Sequence, residues 1–233
     1  MSNDLMNLEE LAVYLQRDAR EVDKLAKRGA LPGRKVAGEW RFAPAEINHW
    51  LETQMHGYTD QQLTAVEQGP GRGGDDEPLV CDLLSESTIA VPLPATTKAS
   101  VIRELVRLAE GSWQVYDGGA LLTAVKQRED MASTALESGV AIPHPHRPLP
   151  PTVLGGSLMA FGRTASDIPF GPHGVSCDLF FLVACTDQAT HLRVLARISR
   201  LMLRPGFVDE LRAAQTPADT YQALAAAERD LTS

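Results

Sequence analysis

The stretch from residue 56 to residue 80, HGYTDQQLTAVEQGPGRGGDDEPLV, limits most strongly what this chain can fold into. It mixes glycine, proline and acids with little apolar periodicity. Residues 56–78 read as a linker, flexible around Gly69 to Gly74 and solvated by Asp75, Asp76 and Glu77. Two domains follow as the expectation, a small one over 1–55 and a larger one over 79–233. A chain of 233 residues, 44% hydrophobic, has the material for at least one good core.

Several function classes fall away early. No apolar run approaches the ~18 to 20 residues of a membrane span, and the opening MSNDLMNLEELAVYLQRD carries acids where a secretory leader carries basic residues. A soluble, cytoplasmic protein without a membrane partner is expected. Cys81, Cys177 and Cys185 are an odd number without a CxxC pair, which argues against a disulfide framework and a zinc ribbon. A formal charge of −8 gives no global attraction for nucleic acid, so any basic face must be local.

The small unit carries clear local signals. Asn7 and Glu10 have capping-box spacing, and Leu8, Leu11, Ala12 and Leu15 then line one face of a helix over about 7–16. AREVDKLAKRG supplies a second short helix with Val22, Leu25 and Ala26 inward and Gly29 as its stop. GRKVAGEWRF alternates around Ala37-Gly38 as a hairpin, and APAEINHWLETQ reopens as a helix with Pro44 in its first turn. Trp40, Phe42, Ile47, Trp50 and Leu51 are expected to form its small core.

That order, and above all the G-x-LP…GEWRF…I…WL stretch, resembles the excisionase-like, MerR-type winged helix-turn-helix module. The resemblance covers residues 5–52. It implies that helix two enters the major groove while the wing follows the backbone or minor groove. Arg20, Lys24, Lys27 and Arg28 on that helix, with Arg34, Lys35 and Arg41 on the wing, would then contact phosphates of duplex DNA. Residues 16–42 hold eight basic against four acidic side chains. Glu21 and Asp23 depart from the pattern, since phosphates would repel them. A protein-docking or dimerising module is the alternative.

The larger unit alternates strand and helix patterns: a strand or turn at 88–92, helices over Lys98–Glu110 and Leu121–Glu129, a strand at 154–161, the apolar run CDLFFLVAC, a helix over His191–Leu203 and a last pair after Phe207. DLFFLVA is continuously apolar, as a strand covered on both faces must be. The fold class is α/β, with helices packed on a central sheet. His144 and His146 stand one residue apart in SGVAIPHPHRPLPP, residues 138–151. A metal site, a nucleophile that takes a phosphoryl group, and an exposed pair without chemistry compete there. Zinc would need further ligands. His173, His191, Asp178 and Cys177 are candidates without ligand spacing, so no metal and no cofactor is expected.

LLTAVKQREDMASTALESGVAIPHPHRPLP together with DLFFLVACTDQATHLRVLARISRLM resembles the type 2 enzyme IIA domain of the phosphotransferase system, the fructose, mannitol and nitrogen-regulatory branch. The likeness spans about residues 79–226. It implies an enzyme IIA-like mixed β-sheet covered by helices and a phosphoacceptor at His144, charged by a small phosphocarrier protein, with Arg128 and His191 completing the site. Arg128 would hold phosphoryl oxygens in its fork, and His191 would donate to another. Ser133, Thr134 and loop amides could add neutral donors, and His146 is a candidate supporting donor. Pro145 departs from the small residue usual after the histidine and removes one N–H.

Together the two resemblances imply a regulatory phosphocarrier of the nitrogen-regulatory kind, coupled to a DNA-binding domain and thereby to transcription. Discharged stoichiometrically, such a carrier is only marginally an enzyme. Its partners would be the phosphocarrier protein, duplex DNA and an unidentified regulated protein, with a homodimer suggested by paired half-sites. The alternatives are a DNA-binding or scaffold regulator whose second domain takes no phosphoryl group, and a metal-dependent hydrolase using His144, His146 and His191.

Overall fold

The computed structural model describes residues 5–69 and 79–232. Helix α1, Leu8–Leu15, begins on the expected capping box: the Asn7 side chain accepts from the Glu10 amide at 2.9 Å and Glu10 accepts from the Asn7 amide at 2.8 Å. Asp18 caps α2, Ala19–Lys27, which turns Val22 and Ala26 inward. Strands β1, Arg34–Val36, and β2, Glu39–Arg41, pair antiparallel across Ala37 and Gly38, both at positive φ. That is the geometry a two-residue hairpin turn needs. Helix α3, Pro44–Met55, follows. Phe42, Ile47 and Leu51 are buried as expected, whereas Trp40 and Trp50 are only half-buried and sit at the margin of the core.

The stretch read as linker is not linker throughout. Thr59 and Gln62 form a second capping box that starts α4, Asp60–Glu67, whose Leu63, Val66 and Glu67 are buried. Gly69 is described, while the remaining positions read as flexible, 70–74, and Asp75 to Glu77 lie outside the described residues.

The second unit is a four-stranded sheet with helices on both faces. In chain order it comprises β3 (Ile89–Ala90), α5 (Lys98–Glu110), α6 (Gly118–Met131), β4 (Val140–Ala141), β5 (Leu158–Pro169), β6 (Ser176–Ala184), α7 (Gln188–Met202), α8 (Phe207–Ala213) and α9 (Pro217–Thr232). The sheet order is β3-β5-β6-β4; β5 and β6 run antiparallel, and the two short edge strands lie parallel to their neighbours. Along β6 the alternation of side chains divides the core. Leu179, Phe181 and Val183 face α7, while Phe180, Leu182 and Ala184 pack with Val101, Leu105, Leu121 and Val125 of α5 and α6. The apolar core of the small unit is continuous with the first of these layers, because Leu63 and Val66 of α4 join it to Leu192, Leu195 and Ile198.

No helix among the described residues is long and apolar enough to cross a membrane.

Candidate functional site

Strand β4 delivers His144. Ala141 pairs with Phe180, and the Pro143 carbonyl accepts from the Val183 amide at 3.0 Å, so the chain runs extended along β6 up to the histidine. The Ile142 carbonyl lies 2.7 Å from His144 Nδ1. A carbonyl can only accept, so Nδ1 carries the proton and the neutral ring presents its lone pair at Nε2. Burial lowers the His144 pKa below its ordinary value, with His191 and Arg128 adding to the effect and Glu52 opposing it. The ring is neutral.

Arg128 sits in the last turn of α6, buried, with Nη1 donating to the Ala132 carbonyl at 2.8 Å. His191 lies at the start of α7, where the Asp187 side chain caps the helix by accepting from Thr190 at 2.8 Å. The His144 and His191 rings are 5.1 Å apart between centroids. Three residues separated by 16 and 47 positions in sequence therefore converge.

A fourth member is absent from the sequence-based expectation. Glu52 of α3 reaches across from the small unit with Oε1 3.2 Å from His191 Nε2 and Oε2 3.5 Å from His144 Nε2. Oε2 is also 3.8 Å from Arg128 Nε and 3.8 Å from His49 Nδ1. Burial works against its ionisation; with the His144 proton on Nδ1, it is His191 Nε2 that is left to donate to the carboxylate, and the carboxyl lies below the usual carboxylate range. The only sequence trace of this is that Asn48 and Glu52 follow Ile47 and Leu51 directly, so a polar row runs beside the apolar one.

Other expected contributors lie elsewhere. Thr134 donates to Glu129 at 2.6 Å, Glu129 pairs with Lys98 at 2.8 Å, and Ser133 donates to the Phe170 carbonyl. Neither hydroxyl is a donor to the site, because each is satisfied within this neighbouring network. His146 is half-buried with its ring edge against His49, 5.2 Å between centroids, and burial lowers its pKa. The metal candidates disperse: His173 is exposed in a turn, Asp178 is held by Arg212 at 2.8 Å, and all three cysteines are free, buried thiols pushed up to about 12 by burial. Glu52, His144 and His191 do bring ligand atoms within 4.8 Å of one another. Arg128, permanently charged at the same carboxylate, opposes a cation there.

On the small unit Arg20, Lys24, Lys27, Arg28, Arg34 and Lys35 are exposed and Arg41 half-exposed. Glu21 is engaged by Arg17 of the preceding turn at 3.0 Å and Asp23 by Lys27 of the same helix at 2.6 Å, which tempers their repulsion. Arg34 and Arg41 are direct cross-strand partners, and Glu39 takes up part of that like-charge pairing at 2.7 Å from Arg41. The faces of α2 and the hairpin are thus open, whereas α3 is turned inward.

Residues 82–227 match the model of the phosphoenolpyruvate-dependent sugar phosphotransferase system EIIA 2 family, and residues 5–55 match a helix-turn-helix domain. The chain belongs to the EIIA 2 family and carries a helix-turn-helix domain ahead of it. It is 32% identical over 150 residues to a nitrogen regulatory protein of Bradyrhizobium diazoefficiens, covering 63% of this chain and 94% of that protein. It is 30% identical over 148 residues to the fructose-specific EIIABC component of Bacillus subtilis; the match covers 62% of this chain but only 22% of that relative's length. The crystal structure of nitrogen regulatory protein IIA-Ntr from Neisseria meningitidis shares the fold, with a TM-score of 0.56 and 24% identity over 63% of this chain and 99% of that one.

Proposed function

We propose that the chain is a cytoplasmic phosphocarrier of the nitrogen-regulatory kind, accepting a phosphoryl group on His144 and coupled to a DNA-binding domain. The observation that carries this reading is the convergence of Arg128 and His191 on a neutral imidazole whose Nε2 lone pair is fixed by the Ile142 carbonyl. In the reaction, Nε2 attacks the phosphorus of a phosphohistidine on a phosphocarrier protein. The new N–P bond forms as the donor's N–P bond breaks, and that electron pair returns to the donor ring. Phosphoryl transfer asks little covalent chemistry of the protein beyond alignment and charge stabilisation. Arg128 and His191 supply these, aided by the positive N-terminal end of α7. Pro145 is buried and offers no N–H, so the oxygens depend on side chains more than in a glycine-bearing loop.

The exposed cations of α2 and the hairpin suit duplex DNA, with the helix in the major groove. Intact-mass measurement at mildly alkaline pH, after incubation with phosphoenolpyruvate, enzyme I and the phosphocarrier protein, tests the first half. An acid-labile phosphoryl adduct on the wild type and on His146→Ala, lost in His144→Ala, is expected. Absence of any adduct, with a donor that charges an authentic acceptor, would leave a binding or scaffold protein.

A further inference from the structure

The site just described is closed. Glu52 brings its carboxylate to the meeting point of the groups that the proposed transfer uses, within 3.2 to 3.8 Å of His191, His144 and Arg128. Negative oxygens gathered by an arginine and a histidine beside Nε2 are what a phosphoryl group on that nitrogen would itself present. With Glu52 seated, the remaining void bounded by Arg128, His144, Leu195 and Ser199 is about 20 Å³. That is room for roughly one water, not for a phosphoryl group. His144 is 4% exposed. A donor must bring its phosphorus to roughly 3–3.5 Å from the nucleophile, and in this arrangement nothing can.

The contact is nevertheless imperfect. Glu52 Oε2, Arg128 Nε and His144 Nε2 are buried without a hydrogen-bond partner among the described residues, as are His49 Nδ1 and His146 Nδ1 on the same seam. Folded proteins leave few buried polar atoms in this condition, so their concentration in one place marks an arrangement open to exchange. A carboxylate offers two oxygens and one charge, while a phosphoryl group offers three oxygens and about 1.5 to 2 charges. By charge and by number of acceptor oxygens, a phosphoryl group suits these donors better than a carboxylate does.

We propose that Glu52 is an internal surrogate for the phosphoryl group. Seated, it keeps the phosphocarrier protein from His144; when His144 is phosphorylated, it is expelled and takes α3, with the helix-turn-helix unit, away from the start of α7. The proposal rests on the phosphoacceptor reading of His144. Linkage makes the two halves one quantity: the factor by which closure hinders phosphorylation is the factor by which phosphorylation hinders closure.

Full-length wild type, Glu52→Ala and Glu52→Gln are charged with the same phosphocarrier protein, and initial rates of adduct formation are compared. If the open form is a minor population of 1–10%, Glu52→Ala gains roughly 10- to 100-fold and Glu52→Gln, which keeps the bulk but not the charge, falls between. Hydrogen exchange then compares phosphorylated with unphosphorylated wild type, with His144→Ala as the control that cannot respond. Faster exchange at 142–147 and 188–192, the segments α3 covers, is expected on phosphorylation only. Rates in both variants equal to or below wild type, with unchanged exchange, would overturn the surrogate while leaving His144 as the acceptor. No adduct on any of the three chains would overturn the acceptor reading and the surrogate with it.

Discussion

Two glutamates of the N-terminal segment are buried against the larger domain, and they are held in opposite ways. Glu67, at the end of α4, is gripped by Arg197 through Nε at 2.6 Å and through Nη2, and by Arg200 at 2.9 Å. Arg197 also reaches Glu228 at 3.0 Å, and Glu228 accepts the amides of Leu79, Val80 and Cys81. Glu52, one short helix earlier, stands at 3.2 Å or more from every partner and has one oxygen without a hydrogen bond. Buried ions that are fully paired are costly to break, because losing one member strands the other without water. The Glu67 network is thus an anchor, whereas Glu52 is loosely held, as the surrogate proposed above requires. The four residues between α3 and α4 separate a segment built to stay from one that can leave.

The largest effect that could break this contrast is on stability. Glu67→Ala leaves Arg197 with Glu228 but removes its other carboxylate, and should lower unfolding stability by up to about 3–5 kcal/mol in denaturant titration. Glu52→Gln, replacing a loosely held group by one of its own shape, should cost under about 1.5 kcal/mol. Similar costs for the two would dissolve the distinction between anchor and plug.

A smaller effect comes from pH. Burial keeps the folded His144 ring neutral, while the unfolded chain takes up a proton near the ordinary value of about 6.5. Below that pH the unfolded state binds more protons, so stability falls as the solution is acidified. Glu52, held below the carboxylate range, acts in the same direction, its contribution intact at neutral pH and lost as pH falls through and below that range. Wild type should lose more stability than His144→Gln as pH falls from 7.5 through about 6.5. Parallel loss in both chains would mean that the ring is not kept neutral.

The smallest effect sharpens the outward-facing half. Lys24→Glu and Arg41→Glu should each weaken duplex binding modestly and flatten its salt dependence by about one counterion. If the unmodified protein binds no duplex in a salt-sensitive way, the exposed cations of α2 and the hairpin serve some other partner.

Much of this architecture was legible in the residues because local chemistry dictates it. Helix α5 occupies Lys98–Glu110 as its periodicity requires, and the unbroken apolar run of β6 reports a strand covered on both faces. Strand β5 runs on to Pro169 rather than stopping near 161, since it resumes pairing at Ile168 after an irregularity, across residues too polar to show the usual alternation. Helix α4 has a cap and only two apolar anchors of its own, and it is stabilised by α7, a partner more than a hundred residues away. Arg128, His144 and His191, which the motif singles out, do come together in the fold. Glu52 could not be found by motif, because a glutamate beside an apolar row on a surface helix has the same local signature whether it faces water or a histidine.

Helix α7 carries His191 in its first turn and Arg197 and Arg200 further along, so one rigid rod bears both the contact with Glu52 and the anchor. Each residue advances such a rod by about 100° and 1.5 Å. Inserting or deleting a single codon between positions 192 and 196 would therefore rotate one set of side chains out of phase with the other, leaving the chain able to keep its grip or its chemistry but not both. The spacing along α7 thus couples the two contacts as one geometric unit.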